Sequence, residues 1–303
     1  MRIRKTLLLA LLPGALAVAQ TRGERVYGLY CATCHGARGD GEGPTAARYG
    51  SPAPRNFTRG VFRFRSTLSG QLPLHRDLVS TIERGLPGTI MPPWKELLPP
   101  RDIDEVARFI EGFSSRFAAE PEASRTAITI LAARPDSAES VARGRFVYLV
   151  MKCWDCHGVA GDGGGPSAHT LKNEEGAALR ATDFTHGVFK GGGHAREIYR
   201  ALVTGLDGAA MPSYLQSTIV TREAVSSLAQ LPSDVSAAER AALRRFLEAQ
   251  PTAQAYFALD EQAQARMAEA WRWDLVHYVR GLARPSLWRR LVGLEPALAG
   301  GGQ

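Results

Sequence analysis

The sequence predicts a mostly α-helical protein built from two tandem copies of one domain, the second enlarged by a helical insertion. Three observations carry that expectation. Three sequence blocks recur in the same order, apolar residues fall at helical spacing around each copy, and 303 residues exceed one ordinary domain. The first block is Cys31-Ala-Thr-Cys34-His35 with Gly36-Ala-Arg-Gly-Asp-Gly-Glu-Gly-Pro44. It returns 122 residues on as Cys153-Trp-Asp-Cys156-His157 with Gly158-Val-Ala-Gly-Asp-Gly-Gly-Gly-Pro166. Asn56-Phe-Thr-Arg-Gly-Val-Phe62 returns 127 residues on as Asp183-Phe-Thr-His-Gly-Val-Phe189. Gly85-Leu-Pro-Gly-Thr-Ile-Met91-Pro92 returns 120 residues on as Gly205-Leu-Asp-Gly-Ala-Ala-Met211-Pro212.

The elements follow in order. Residues 1–19 read as a signal peptide: a basic start, a short apolar stretch broken by Pro13 and Gly14, and small residues before Gln20. This predicts export to the periplasm. The first domain spans 20–113 and the second 141–282. A helix is expected before each pentapeptide, around Gly23–Tyr30 and Gly144–Lys152, the second one residue longer. The first domain closes with a helix over Asp102–Phe113, with Asp102 as cap, Glu105 three residues on, and a stripe of Val106, Phe109 and Ile110. Leu275, Tyr278 and Val279 take the same places in the second. The linker is 114–140, rich in small residues and holding Pro121 and Pro135. The insertion falls at about 215–266, where Ser236-Ala-Ala-Glu239 opens a helix to about Ala249, Pro251 interrupts it, and another helix starts at about Leu259. Within the tail, 283–303, Trp288, Leu291 and Val292 beside Arg289 and Arg290 suit a membrane or partner surface, or a helix packed back on its domain.

The chemistry rests on the pentapeptides, which use every cysteine in the chain. Cys-x-x-Cys-His is the attachment signature of c-type haem: Cys31 and Cys34, and Cys153 and Cys156, would grip one porphyrin edge each. His35 and His157 then become axial iron ligands. A redox disulfide needs no histidine after the motif. A four-cysteine zinc site wants its pairs about 15–20 residues apart, far closer than these. The carbonyl of Pro44 or Pro166 is the expected acceptor for the imidazole N–H. His186 stands where Arg59 does, which suggests a shared polar role near the haem.

The sixth ligand separates a carrier from a catalyst. Met91 and Met211 occupy matched positions, each before a proline that stiffens its loop. A lone methionine is usually core filling; a methionine repeated in register predicts ligation. Met151 and Met267 have no counterpart and read as packing residues, and His75, His169, His186, His194 and His277 as surface or hydrogen-bonding groups. Histidine–methionine coordination raises the reduction potential and fills both axial positions, which suits electron movement rather than bond making.

The formal charge of +7 falls to +4 without Arg2, Arg4 and Lys5, too little to argue for nucleic acid. Its distribution is uneven. No acidic residue lies between Glu42 and Asp77, whereas Arg48, Arg55, Arg59, Arg63, Arg65 and Arg76 do. This suits a solvated loop with some arginines on haem propionates, and also a basic docking face for an acidic redox partner; the two are compatible.

These residues resemble dihaem c-type cytochromes made of two tandem class I cytochrome c domains, over roughly 20–113 and 141–282. The Asn-Phe-Thr-Arg-Gly-Val-Phe and Gly-x-x-Gly-x-x-Met-Pro blocks look like those of cytochromes serving respiratory nitrate reductase-type complexes. The resemblance implies two covalently bound haem c groups. It also implies single-electron shuttling between a quinol-oxidising donor and a terminal oxidoreductase, with redox proteins as partners and no small-molecule substrate. A dihaem enzyme such as a cytochrome c peroxidase is the alternative, but its two domains are usually unequal at the iron. A haem-based sensor would want an output domain.

Overall fold

The computed structural model describes residues 20–48, 52–131 and 134–283. The signal-peptide segment 1–19 and the tail beyond 283 lie outside the described residues. Among those described there is no β-strand, only isolated bridges between Thr67 and Ala127 and between Lys172 and Ala178. No helix among them is long and apolar enough to cross a membrane.

The first domain opens with α1 (Arg22–Val26), which passes through a π-helical turn, Tyr27–Cys31, into α2 (Ala32–His35). Thr21 caps α1 by accepting the Glu24 N–H at 3.1 Å. Then come α3 (His75–Arg84) and α4 (Pro100–Glu111). Asp102 is not the cap of α4: Pro100 takes the first helical position, where its missing N–H costs nothing. Asp102 instead sits in the first turn and ion-pairs with Arg22 of α1. The second domain repeats the plan with α6 (Ala138–Val150), α7 (Trp154–His157), α8 (Ala195–Thr204) and a long α11 (Glu261–Gly281).

The crossing of first and last helix is built the same way twice. Where α1 meets α4, a Cβ on Gly23 would lie 2.2 Å from the Glu105 carbonyl oxygen; where α6 meets α11, one on Gly144 would lie 1.9 Å from that of Asp274. Only glycine admits so close a backbone approach. Around the crossings lie two cores, one holding Val26, Tyr27, Ile103, Val106 and Ile110, the other Val147, Tyr148, Trp273, Leu275 and Val276.

The extra residue before the second pentapeptide is absorbed by Lys152, whose φ of 56° makes a left-handed turn between α6 and α7. Its amine donates to Gln230 of the insertion at 2.7 Å. That insertion contains a 3-10 stretch (Arg222–Gln230), α9 (Ala237–Glu248) and α10 (Ala253–Phe257) before α11. Ser236 caps α9 through the Glu239 N–H, as expected. Phe246 of α9 packs at a tilt against Phe146 of α6, with ring centroids 5.2 Å apart, and Val225, Leu231 and Phe246 join the cluster that holds Val150 and Met151. The matching residues of the first domain, Leu29 and Tyr30, are 73% and 45% exposed. The insertion therefore covers a face that the first domain leaves bare.

The linker is pinned rather than free over its first half. It contains α5 (Arg116–Ala119), and Arg116 donates to the Gly60 and Gly70 carbonyls, Arg125 to that of Pro73. Ser137 caps α6, so that helix begins just before the expected domain boundary.

Much of the charge of the basic loop is turned onto the second domain. Arg55 and Arg59 pair with Glu174 and Glu175 of the second domain. Arg63 donates to the Gly208 carbonyl, and the fully buried Arg65 donates to the Thr204 carbonyl and to Asp207 at 2.8 Å. Of the six, Arg48, Arg59 and Arg76 are exposed, and Arg55, Arg63 and Arg65 are half-buried or buried. The acidic partner is the chain's own second copy, which composition alone could not show.

His75, at the start of α3, is held between Glu111 and Asp104 at 2.7 and 2.8 Å. Burial pulls its pKa down, but the two carboxylate hydrogen bonds and the charge of Glu111 outweigh it, and the pKa is raised. A raised pKa contributes stability that is full below the unfolded value of about 6.5 and is lost as pH climbs through the folded one. His75→Gln is therefore expected to lower the melting temperature most in mildly acidic buffer and least in alkaline buffer. The loss is about 1 kcal/mol at most, because Asp104 is half exposed. Melting curves of variant and parent across pH check this; a loss independent of pH would refute it.

Candidate functional site

Each pentapeptide forms a one-turn helix ending at its histidine, and the glycine-rich loop folds back on that helix. Gly41 and Gly43 donate to the His35 and Cys34 carbonyls at 2.8 and 3.1 Å; Gly163 and Gly165 donate to those of His157 and Cys156 at 2.8 and 3.2 Å. The loop amides thus satisfy the carbonyls at the end of a helix too short to satisfy its own. Tyr27 and Tyr148 anchor the same turn from the core, donating to the Gly36 and Gly158 carbonyls at 2.8 and 2.6 Å. These tyrosines went unassigned in the sequence, although each lies four residues after its crossing glycine in both copies.

The histidine rings are oriented through Nδ1. His35 Nδ1 lies 3.0 Å from the Arg55 carbonyl and His157 Nδ1 3.0 Å from that of Thr182. The expected acceptors, Pro44 and Pro166, are exposed and do not take this part. The register of the loop explains why: Thr45 and Ser167, one residue on, bind the Thr33 and Asp155 carbonyls, which holds the prolines on the outer side. With the Nδ1 proton given to a carbonyl, Nε2 keeps its lone pair for a metal. Burial pushes the pKa of both imidazoles down, so both are neutral. Phe57 stacks on His35 at 4.6 Å and Phe184 on His157 at 4.4 Å, each followed by a second stacked ring, Phe62 or Phe189.

Arg59 and His186, aligned in the repeat, share no role at the site. Arg59 reaches Glu175 at 3.5 Å, while His186 is 76% exposed beside Asp183 at 3.2 Å. An aligned position is shared backbone, and nothing obliges its side chain to keep one partner.

The methionine loops are also built alike. Leu86 N–H donates to the Met91 carbonyl and Leu206 N–H to that of Met211, both at 3.0 Å. Gly85 and Gly205 open the loops with φ of 64° and 67° and lie against Pro92 and Pro212. Met91 packs on the same core as Cys31, and Met211 on the same core as Cys153. Trp94, three residues after Met91, meets Tyr30 edge-on at 5.6 Å, which brings the loop to the attachment segment. Tyr214 holds that place in the second copy, and its pKa is pushed up to about 12 by burial and by Cys153 and Cys156.

This donor set fits a covalently held haem and fits neither rival. All four cysteines are free, and burial pushes the Cys31 and Cys153 thiols up to about 12, opposite to the lowered pKa of a redox Cys-x-x-Cys. No group of three or more metal-binding side chains forms among the described residues, so the two pairs do not combine into a zinc site. Two half-buried thiols beside an oriented neutral imidazole, with a thioether on the neighbouring loop, remain in each domain.

Comparison with known proteins agrees with this geometry. Residues 18–110 match the family described as cytochrome c oxidase, cbb3-type, subunit III, and residues 141–250 match cytochrome c. No curated protein matches the chain. A solved chain from the Kuenenia stuttgartiensis reducing HAO-like protein complex Kustc0457/Kustc0458 is similar at 30% identity and a TM-score of 0.67, over 88% of this chain and 97% of that one. Tandem matches on the two halves, and a relative of nearly equal extent, place the chain among the dihaem c-type cytochromes built from two cytochrome c domains.

Proposed function

We propose that the protein is an exported, periplasmic electron carrier or electron-transfer subunit with two covalent haem c groups. Cys31 and Cys34 hold one, with His35 and Met91 as axial ligands; Cys153 and Cys156 hold the other, with His157 and Met211. Haem c supplies a one-electron iron centre. The chain orients each imidazole through a backbone carbonyl, surrounds it with stacked aromatic rings, and carries the methionine on a loop fixed by its own backbone. One observation carries the reading: both copies keep the same complete set of donors in the same hydrogen-bonded frame. Two closed sites suit electron movement, whereas a peroxidase needs one that opens to substrate.

The similarity to a chain of a reducing HAO-like complex supports a redox protein as the partner, with this chain as a subunit or a docking shuttle between a respiratory donor and a terminal oxidoreductase. The bare face around Leu29 and Tyr30 supports contact through the first domain. The test is direct. Protein from a host that attaches haem is expected to keep two haems per chain after denaturation, and its ferric form to show the sulfur-to-iron charge-transfer band. A high-spin haem with rapid peroxide turnover would establish the enzyme instead.

A further inference from the structure

The two copies meet across a cavity of about 30 Å³, room for about two waters or one carboxylate group. Its charged walls are Arg63, Arg65, Arg84 and Arg200 against Asp77 and Glu197. Both carboxylates are already engaged. Asp77 accepts from the Ser66 N–H and hydroxyl and from the Leu74 N–H. Glu197 accepts the His194 N–H and stands 3.5 Å from Arg84. Arg65 is matched by Asp207. Glu174 and Glu175 attract Arg63 but hydrogen-bond Arg55 and Arg59. The Arg200 guanidinium has no hydrogen bond or ion pair to any described residue.

Among the buried side-chain polar atoms of the described residues that lack a hydrogen-bond partner are the Nε of Arg63, Arg84 and Arg200. Buried guanidinium donors left unmatched are unfavourable, and their concentration on one cavity marks a missing anion. Burial also pushes the Arg63 pKa down to about 10, with Arg55 adding repulsion. We propose that this cavity is a carboxylate site shared by the two domains, in which Arg63, Arg84 and Arg200 hold an anion that locks the copies together. The planar guanidinium fork matches a carboxylate, and the volume suits a carboxylate on a stem better than a free phosphate.

The walls come from the segments that border both haem sites. Arg63 follows Phe62 of the ring stack on His35, and Gly191 lies just after Phe189 of the other stack. Arg84 ends α3 just before the Met91 loop, and Thr204 ends α8 just before the Met211 loop. The first source of the anion is therefore a propionate arm of haem, which rests on the function proposed above; the second is a free carboxylate from solution. Duplication does not predict the site. Arg63, Arg84 and Arg200 align with Lys190, Thr204 and Ser80, so it exists only where the diverged copies meet.

The test uses the haem-loaded protein with Arg63→Gln, Arg84→Gln and Arg200→Gln, singly and together. Midpoint potentials and melting temperature are read with and without acetate at fixed ionic strength. Loss of a cation near the iron favours the ferric form, so each variant is expected to shift at least one haem about tenfold toward oxidation and to melt lower. If the shift ignores acetate, the anion is a propionate. If parent protein instead responds saturably to acetate and the variants do not, it is a free carboxylate. Should a glutamine variant not fold, Arg200→Lys keeps the cation but loses the fork, and is expected to melt lower with a near-parental potential. Two haems per chain with unmoved potentials, melting and acetate response would overturn the site while leaving the haem assignment intact. A chain without two haems would instead overturn the proposed function.

Discussion

Gly144→Ala is expected to destabilise the second domain by about 2 kcal/mol or more, and Gly23→Ala to do the same to the first. Two effects oppose each other. In an isolated helix the change to alanine is favourable by about 1 kcal/mol. Here the added methyl group would stand 1.9 Å from the Asp274 carbonyl oxygen and 2.7 Å from Tyr278 Cβ. Both belong to α11, whose Trp273, Leu275 and Val276 are buried, and Asp274 is tied back to α6 through Ser140 and Arg143. The helix cannot retreat locally, so overpacking reaches the upper end of its usual range of about 1–3 kcal/mol or passes it. Thermal unfolding followed in the Soret band checks the sign. A variant as stable as the parent would mean that the helices do not cross at this glycine.

Met211→Ala is expected to convert one closed haem into one that binds carbon monoxide, with the ferric sulfur-to-iron band reduced by about half. The reasoning is that the loop survives the change. Its frame is the Leu206-to-Met211 backbone bond and the turn at Gly205, neither of which uses the thioether. Only the sulfur is removed, so the readout isolates ligation from folding. Met91→Ala is expected to do the same at the other haem, and the double variant to abolish the band. Carbon monoxide titration of the ferrous variants measures this. A band that survives both substitutions would refute the assignment.

The two pentapeptide turns, the paired methionine loops and the duplication were legible because each is a local pattern, and repetition in register makes chance unlikely to produce it. The capping box at Ser236 was legible for the same reason. The helices α3 and α8 were not, because no side-chain cap announces them: Leu74 and His194 precede them, and the carboxylates of Asp77 and Glu197 reach back to those residues' N–H groups. The orienting carbonyls of Arg55 and Thr182 are backbone groups, and side-chain identity cannot reveal them. The fate of the basic loop was hidden for a third reason. Charge along a chain records what must be neutralised, while the neutralising residue, Glu174 or Asp207, lies more than a hundred positions away.

Asp207 occupies the place that Pro87 holds in the first copy, inside the loop that carries Met211. It accepts from the Arg65 guanidinium, the Ser69 hydroxyl and the Gly70 N–H, all of the first domain. The second methionine loop is thus tethered across the boundary, and Pro87 gives the first loop no such tether. Strain that pulls the copies apart is delivered to one thioether and spares the other. The duplicated sites are alike in chemistry but unequal as mechanical objects: one stands on its own domain, and the other leans on its neighbour.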